Sequence, residues 1–168
     1  MVLKGILSLA LIFSTLFHTP SLYSLTQKRA DKAMDKYWED MEYKLTNADL
    51  GNFENTEIYA VNSEDGTPTA YVMFAEAMGK VDTFIYMIIF SPEGTIKKVS
   101  VLLYKENYGG EIASKRFLRQ FEGKSNGKNM EYNDDIDGIS GATISVQAIT
   151  KSIRKNSTTF NNILKQLK

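Results

Sequence analysis

The sequence predicts an α+β fold in which a mostly antiparallel β-sheet packs against helices in a single domain. Two observations lead to this class. Consecutive strand-like segments occupy the middle of the chain, and segments with helical periodicity flank them on both sides. The length of 168 residues and a hydrophobic content of 43% are typical of one domain with a modest core. A second domain is therefore not expected.

The helices are predicted from apolar residues that recur at spacings of three and four. Residues 28–45 have this pattern and predict an amphipathic helix, which belongs to an N-terminal helical segment over residues 28–50. A short helix is expected over residues 113–121, ending before Gly123. The last helix is predicted over residues 142–154, and residues 160–167 are expected to add a turn or two.

The strands are predicted from aromatic and β-branched residues between turn signals. They cover residues 57–61, 70–75, 83–90 and 95–104. The short connections between them predict antiparallel pairing of neighbours. The segment 83–90 is almost entirely apolar, which indicates a central strand that is covered on both faces. We therefore expect a helix on each side of the sheet.

The first 24 residues are typical of a signal peptide. Lys4 precedes an apolar run over residues 5–17, and cleavage is predicted near Ser24. The alternative is an uncleaved anchor, although the run is shorter than the ~20 apolar residues that span a bilayer. Both interpretations place the remainder outside the cytoplasm, in the periplasm or on the outer face of the cytoplasmic membrane.

The composition excludes several classes of function. The chain has 20 basic and 20 acidic residues, so we do not expect a nucleic acid as partner. It has no cysteine, and its single histidine, His18, lies in the export segment. The mature domain therefore lacks the usual ligands of soft metals and the usual catalytic nucleophiles and bases. Carboxylate chemistry and an organic cofactor remain, and no metal site is predicted.

One motif favours a bound phosphate. Residues 140–143 lie where the last helix is expected to begin, and the unpaired amides and dipole of a helix start stabilise anions. Gly141 permits close backbone approach, Ala142 adds little bulk, and Thr143 and Ser145 offer hydroxyl groups. The alternative is purely structural, with Asp137 or Ser140 as an N-cap and Thr143 as an ordinary first-turn residue.

The string over residues 137–143, followed by a helix, resembles the flavinylation motif of the FMN-binding domain family. That family includes flavin-carrying subunits of the sodium-pumping NADH:quinone reductase and of the related Rnf complex. Residues 106–112, then Phe117 and residues 120–124, are similar to the family's acidic, glycine-rich segment and the short helix after it. The family often has proline where this chain has Tyr108. The resemblance spans residues 57–154, and we predict an FMN-binding domain over residues 57–168.

The resemblance implies that FMN is esterified through its phosphate to Thr143 by a separate flavin transferase, which uses FAD and magnesium. Asp137 would belong to the motif that the transferase recognises. Tyr104, Tyr108 and Phe117 are candidates for an apolar slot around the flavin ring. No catalytic residue is predicted. The predicted cofactor-binding residues besides Thr143 are Asp137, Ser140, Gly141, Ala142, Ser145, Glu106, Tyr108, Gly109 and Gly110.

Three functions follow as hypotheses. The first is an extracytoplasmic, membrane-associated electron carrier that passes electrons between a membrane redox system and an extracytoplasmic acceptor, without substrate turnover of its own. The second is a non-redox, exported, β-rich module that binds a lipid, peptide or polysaccharide. The third is a flavin-dependent reductase, whose proton donor would have to be Tyr, Lys, Asp or Glu because no histidine remains.

Overall fold

A computed structural model of the chain describes residues 20–39, 41–48, 50 and 55–167. A helix, α1, precedes a run of five strands, and a long helix, α3, follows them after a stretch of short helical turns. The predicted export segment falls outside the described residues up to residue 19. The elements are α1 (Leu22–Trp38), β1 (Leu45–Asn47), β2 (Thr56–Asn62), β3 (Pro68–Met78), β4 (Thr83–Phe90), β5 (Ile96–Leu103), α2 (Lys115–Leu118) and α3 (Thr143–Gln166).

The five strands form one sheet in the order in which they occur along the chain. Each strand pairs with the next in antiparallel orientation. Such a meander needs only short connections, in agreement with the turn signals in the sequence. The α+β class and the single domain are therefore confirmed, and β1 is an additional three-residue strand that the sequence did not predict.

Helices cover the two faces of the sheet. On one face, Met34 and Trp38 of α1 pack in a cluster with Phe74 and Met87 of the sheet. On the other face, α3 packs against the alternate side chains of the same strands, and its buried stripe includes Val146, Ile149 and Ile153. Every residue of β4 from Phe84 to Phe90 is buried. The prediction of a central strand with a helix on each side is confirmed.

Helix α1 begins six residues earlier than the sequence pattern indicated. Ser21 is its N-cap, and the Ser21 side chain accepts a hydrogen bond from the amide of Ser24 at 3.0 Å. The amides of Leu22 and Tyr23 donate to the carboxylate of Glu57, at 2.6 and 3.2 Å. This carboxylate comes from the sheet, so only the tertiary structure supplies the partner that stabilises the first turn.

The predicted end of α1 was wrong as well. The helix ends at Trp38 because Glu39 adopts a positive φ of 51°. Leu45, which fits the helical spacing, belongs instead to β1 and pairs with Val61. Periodicity alone did not separate these cases, since one apolar residue in a short segment satisfies either pattern.

Helix α3 is one continuous helix rather than a helix with a separate final turn. Asn156, Ser157 and Phe160 are buried against the sheet side, which carries the helix through the polar stretch. The segment 113–121 was predicted as one short helix, and it is instead divided into α2 and a 3-10 turn on either side of it.

Within the described ranges, each helix is either too short or too polar to span a bilayer.

Candidate functional site

Thr143 is the first residue of α3, and it is exposed to solvent. The preceding residue, Ala142, is buried and makes no side-chain cap, so the first-turn amides have no side chain from this position as acceptor. Gly141 has a φ of +81° and open space around its Cα, which allows the chain to turn sharply into the helix. The Thr143 hydroxyl therefore lies at the positive end of a 24-residue helix.

A cleft of ≈ 660 Å³ opens beside Thr143. Three segments that are distant in sequence line it. They are residues 80–82 in the turn between β3 and β4, residues 105–109 after β5, and residues 141–145 at the start of α3. The volume falls within the range of about 300–1,000 Å³ that is usual for small-molecule sites.

Most of the residues predicted to bind the cofactor line this cleft. Glu106, Tyr108 and Gly109 come from the segment after β5. The other members are Gly141, Ala142, Thr143 and Ser145. The sheet brings these two groups together, although more than thirty residues separate them in sequence.

Several predicted residues lie outside the lining of the cleft. Asp137 is exposed, and its amide donates to Oε1 of Gln120 at 2.7 Å. Ser140 is exposed in the turn before Gly141, and Gly110 begins a 3-10 turn. Phe117, a candidate for the slot around the flavin ring, is buried in the core with its ring 5.6 Å from that of Phe121. Its role is therefore in packing.

Glu106 connects two of the lining segments. Its Oε1 accepts hydrogen bonds from the amides of Val81 at 2.9 Å and Asp82 at 3.1 Å. These bonds favour the charged form, so they lower the pKa of the Glu106 carboxyl below its ordinary value. The Glu106 carboxylate therefore holds the turn between β3 and β4 against the segment after β5.

Tyr104 lies just behind the lining and connects the loop after β5 to α3. Its hydroxyl donates to the carbonyl of Tyr108 at 2.6 Å and lies 2.8 Å from Oγ of Ser145. Because a phenol has one hydrogen, Ser145 is then the donor in the second bond. Burial raises the pKa of Tyr104, and the bond with Ser145 opposes that shift. The phenol therefore stays neutral and holds both partners at neutral pH.

The turn between β3 and β4 was not among the predicted site residues. Lys80, Val81 and Asp82 line the cleft, yet they lie more than twenty residues before Glu106 and more than fifty before Thr143. The one available signal was Val81, an apolar residue in an otherwise polar turn. In the described part of the chain, no group of three or more acidic or histidine side chains could hold a metal ion.

The geometry fits a phosphate-bearing cofactor with an apolar ring, since helix amides and apolar side chains line one cleft. Comparison with protein families agrees, because residues 79–156 match the FMN-binding domain. These residues form an FMN-binding domain. The match begins at the turn that lines the cleft and includes Glu106, Thr143 and more than the first half of α3. The prediction of FMN as the cofactor is thereby confirmed for this domain, and covalent attachment stays a prediction.

Two solved structures are similar to the chain that contains this FMN-binding domain. For NqrC of Shewanella oneidensis the TM-score is 0.51 at 18% identity, over 72% of this chain and 68% of that one. For a subunit of the Na⁺-translocating NADH-quinone reductase of Parabacteroides distasonis the TM-score is 0.53 at 19% identity, over 87% and 98%. At identities this low, the structural similarity establishes a shared fold and nothing more. Comparison with curated proteins returned no match to the sequence.

Proposed function

We propose that the chain is an electron-transfer flavoprotein that carries FMN in a phosphoester bond to Thr143. One observation carries the proposal. Thr143 is exposed and lines the cleft of an FMN-binding domain, at the N-terminal end of its long helix. A phosphoester there would be stabilised by the first-turn amides and the helix dipole.

The residues of the cleft have distinct roles in this proposal. The backbone from Gly141 to Ser145 would hold the phosphate, and the exposed cations Lys80 and Lys105 would add positive charge near it. Gly109 would present backbone at the other side of the cleft. When bound, FMN supplies the capacity to accept and donate electrons, and the protein holds it and controls its access to water.

Attachment requires a separate flavin transferase that uses FAD and magnesium. The Thr143 Oγ forms a bond to the phosphorus nearest the riboflavin unit, the pyrophosphate bond of FAD breaks, and AMP leaves. The hydroxyl proton passes to a base of the transferase, and no oxidation state changes. The exposure of Thr143 supports this proposal, because a second protein has to reach the hydroxyl.

The signal-peptide pattern predicted over residues 1–24 supports a location outside the cytoplasm, in the periplasm or on the outer face of the membrane. The partners would then be a membrane redox complex or another electron donor, and an extracytoplasmic acceptor. The chain would carry electrons between them without turning over a substrate alone.

Covalent attachment can be tested by co-expression with a flavin transferase, denaturation and detection of flavin fluorescence on a gel. We expect fluorescence at the mass of the chain, and we expect Thr143→Ala to abolish it. Thr159→Ala is the matched control, because it removes a hydroxyl that lies on the same helix and bonds to the carbonyl of Lys155, one turn earlier. It should retain the wild-type signal.

Three results would contradict the proposal. Fluorescence that persists in Thr143→Ala would exclude this residue as the attachment site. A colourless wild-type protein, obtained with a transferase that labels another substrate, would favour the non-redox binding module. Steady reduction of a small molecule by the isolated, flavinylated protein would instead support the reductase.

A further inference from the structure

Apolar side chains lie exposed around the cleft beside Thr143. Tyr108 is 85% exposed and Val81 is 77% exposed, and both line the cleft. Ile144, which directly follows the proposed attachment residue, is 49% exposed in the same lining. An isolated exposed apolar residue needs no explanation, but a cluster around one cleft is typical of a binding site.

The backbones that carry Val81 and Tyr108 are held in place. Glu106 accepts a hydrogen bond from the amide of Val81 itself, and the amide of Gly79 donates to the carbonyl of Asp82 at 2.9 Å. The carbonyl of Tyr108 accepts from the hydroxyl of Tyr104 at 2.6 Å. Both exposed side chains therefore project from anchored backbone, so their exposure does not result from an unattached loop.

We infer that Val81 and Tyr108 contact the isoalloxazine ring of FMN held on Thr143, an inference that rests on the proposed function. A planar aromatic ring is the ligand class that such a pair fits, since Tyr108 offers an aromatic face and Val81 an aliphatic surface. Their burial by the ring removes apolar area from water, which stabilises the bound position.

The positions of these residues relative to Thr143 support the same assignment. The attachment residue, Val81 and Tyr108 belong to three different segments, and all three line one cleft. Glu106 ties residues 105–109 to the turn that carries Val81, and Tyr104 ties the same segment to α3 through Ser145. A ring tethered at Thr143 therefore meets a preformed apolar surface, and binding requires little ordering of the protein.

The test uses the full chain co-expressed with a flavin transferase, with the emission of the covalently bound flavin as the readout. An electron-rich phenol in contact with an excited flavin ring quenches its fluorescence, so Tyr108→Leu should raise the emission per bound flavin several-fold. Val81→Ser should increase quenching of the flavin by added iodide, because it opens one side of the ring to water. Both substitutions alter exposed side chains and leave the backbone hydrogen bonds available.

Met78→Ser is the matched control. Met78 is 56% exposed at the end of β3, near Val81 in sequence, and it does not line the cleft. We expect it to leave both the emission and the iodide quenching at the wild-type values. Circular dichroism of each variant reports whether the fold is retained.

The outcomes separate this inference from the proposed function. Wild-type emission and wild-type iodide quenching in both Tyr108→Leu and Val81→Ser, with flavin still covalently bound, would overturn the inference and leave the proposed function intact. Absence of covalent flavin from the wild-type chain, seen on the denaturing gel, would overturn both. A several-fold change in these two variants and none in Met78→Ser is the supporting result.

Discussion

At the scale of single residues, Gly109 illustrates how closely the loop after β5 approaches α3. Its φ is +87°, and it is buried between the loop and the helix. An added Cβ would collide with Oγ of Ser145 and would lie 2.7 Å from the hydroxyl of Tyr104. Glycine is required here both for the backbone conformation and for the space that the Tyr104–Ser145 pair occupies.

We therefore expect Gly109→Ala to lower the free energy of unfolding by about 2–4 kcal/mol, the sum of the positive-φ cost and the steric overlap. Gly66→Ala is the matched control, because Gly66 has a similar φ of +84° with no atom within 4 Å of the added Cβ. It should cost only about 1 kcal/mol. Urea denaturation of both variants measures the difference, and equal losses would show that the contact with Ser145 is unimportant.

Single residues of the site were predictable to different degrees. Thr143 and Gly141 were identified because a short motif and a helix start coincide in the sequence. Glu106 was identified as a member of the site, but its partners were not, since the amides of Val81 and Asp82 come from a distant turn. Phe117 was assigned to the slot only from its residue type, and it lies in the core instead because burial of a large aromatic ring stabilises the fold.

At the scale of elements, the first turn of α1 depends on contacts with the sheet. Ser21 caps it, Glu57 accepts from two of its amides, and the ring of Tyr23 lies 5.2 Å from that of Phe74. Cleavage near Ser24, which the signal pattern predicts, would remove this turn. The position of such a cut would therefore affect the stability of the folded domain.

A direct comparison of two truncated chains measures this contribution. We expect the free energy of unfolding to be about 3 kcal/mol lower for a chain that begins at Leu25 than for one that begins at Pro20. The shorter chain lacks the Ser21 cap and the hydrogen bonds to the Glu57 carboxylate. Glu57→Gln in the longer chain should produce part of the same loss. Equal denaturation midpoints for the two chains would show that residues 20–24 contribute nothing to the fold.

The strands were predicted more accurately than the helices. The bounds of β4 agree with the prediction, because Thr83 to Phe90 forms an apolar run between clear turns. The bounds of α1 did not agree, because its first turn and its end depend on Glu57 and on pairing of Leu45 with Val61. Local patterns determine strands that are buried on both faces, whereas helix ends depend on partners elsewhere in the chain.

At the scale of the whole molecule, one buried group joins the sheet to α3. Tyr86 in β4 is fully buried, and its hydroxyl lies 2.6 Å from Oγ of Ser152 and accepts from Nδ2 of Asn156 at 2.9 Å. Burial raises its pKa from 10.0 to about 12, and the two hydrogen bonds oppose that shift. The folded state therefore favours the neutral phenol more strongly than the unfolded state does, and the difference matters only where the unfolded tyrosine ionises, above pH 10.

This difference predicts a loss of stability at alkaline pH. Because the folded pKa lies above the unfolded one, the contribution is fully present below pH 10 and is lost as the pH rises to about 12. The loss is about 3 kcal/mol for a shift of this size. Urea denaturation across this range should show a smaller decline for Tyr86→Phe than for the wild type. Parallel declines would mean that the pKa of Tyr86 does not differ between the folded and unfolded states.

The sequence by itself determined the fold class, the antiparallel strands, the central buried strand and the threonine motif. Each depends on residues that are close together in the chain, where spacing and composition are sufficient. Only the tertiary structure decided which loops meet Thr143, that Val81 belongs to the cleft, and that Glu106 and Tyr104 tie the three lining segments together. These contacts join residues more than twenty positions apart, and the path of the sheet brings them together.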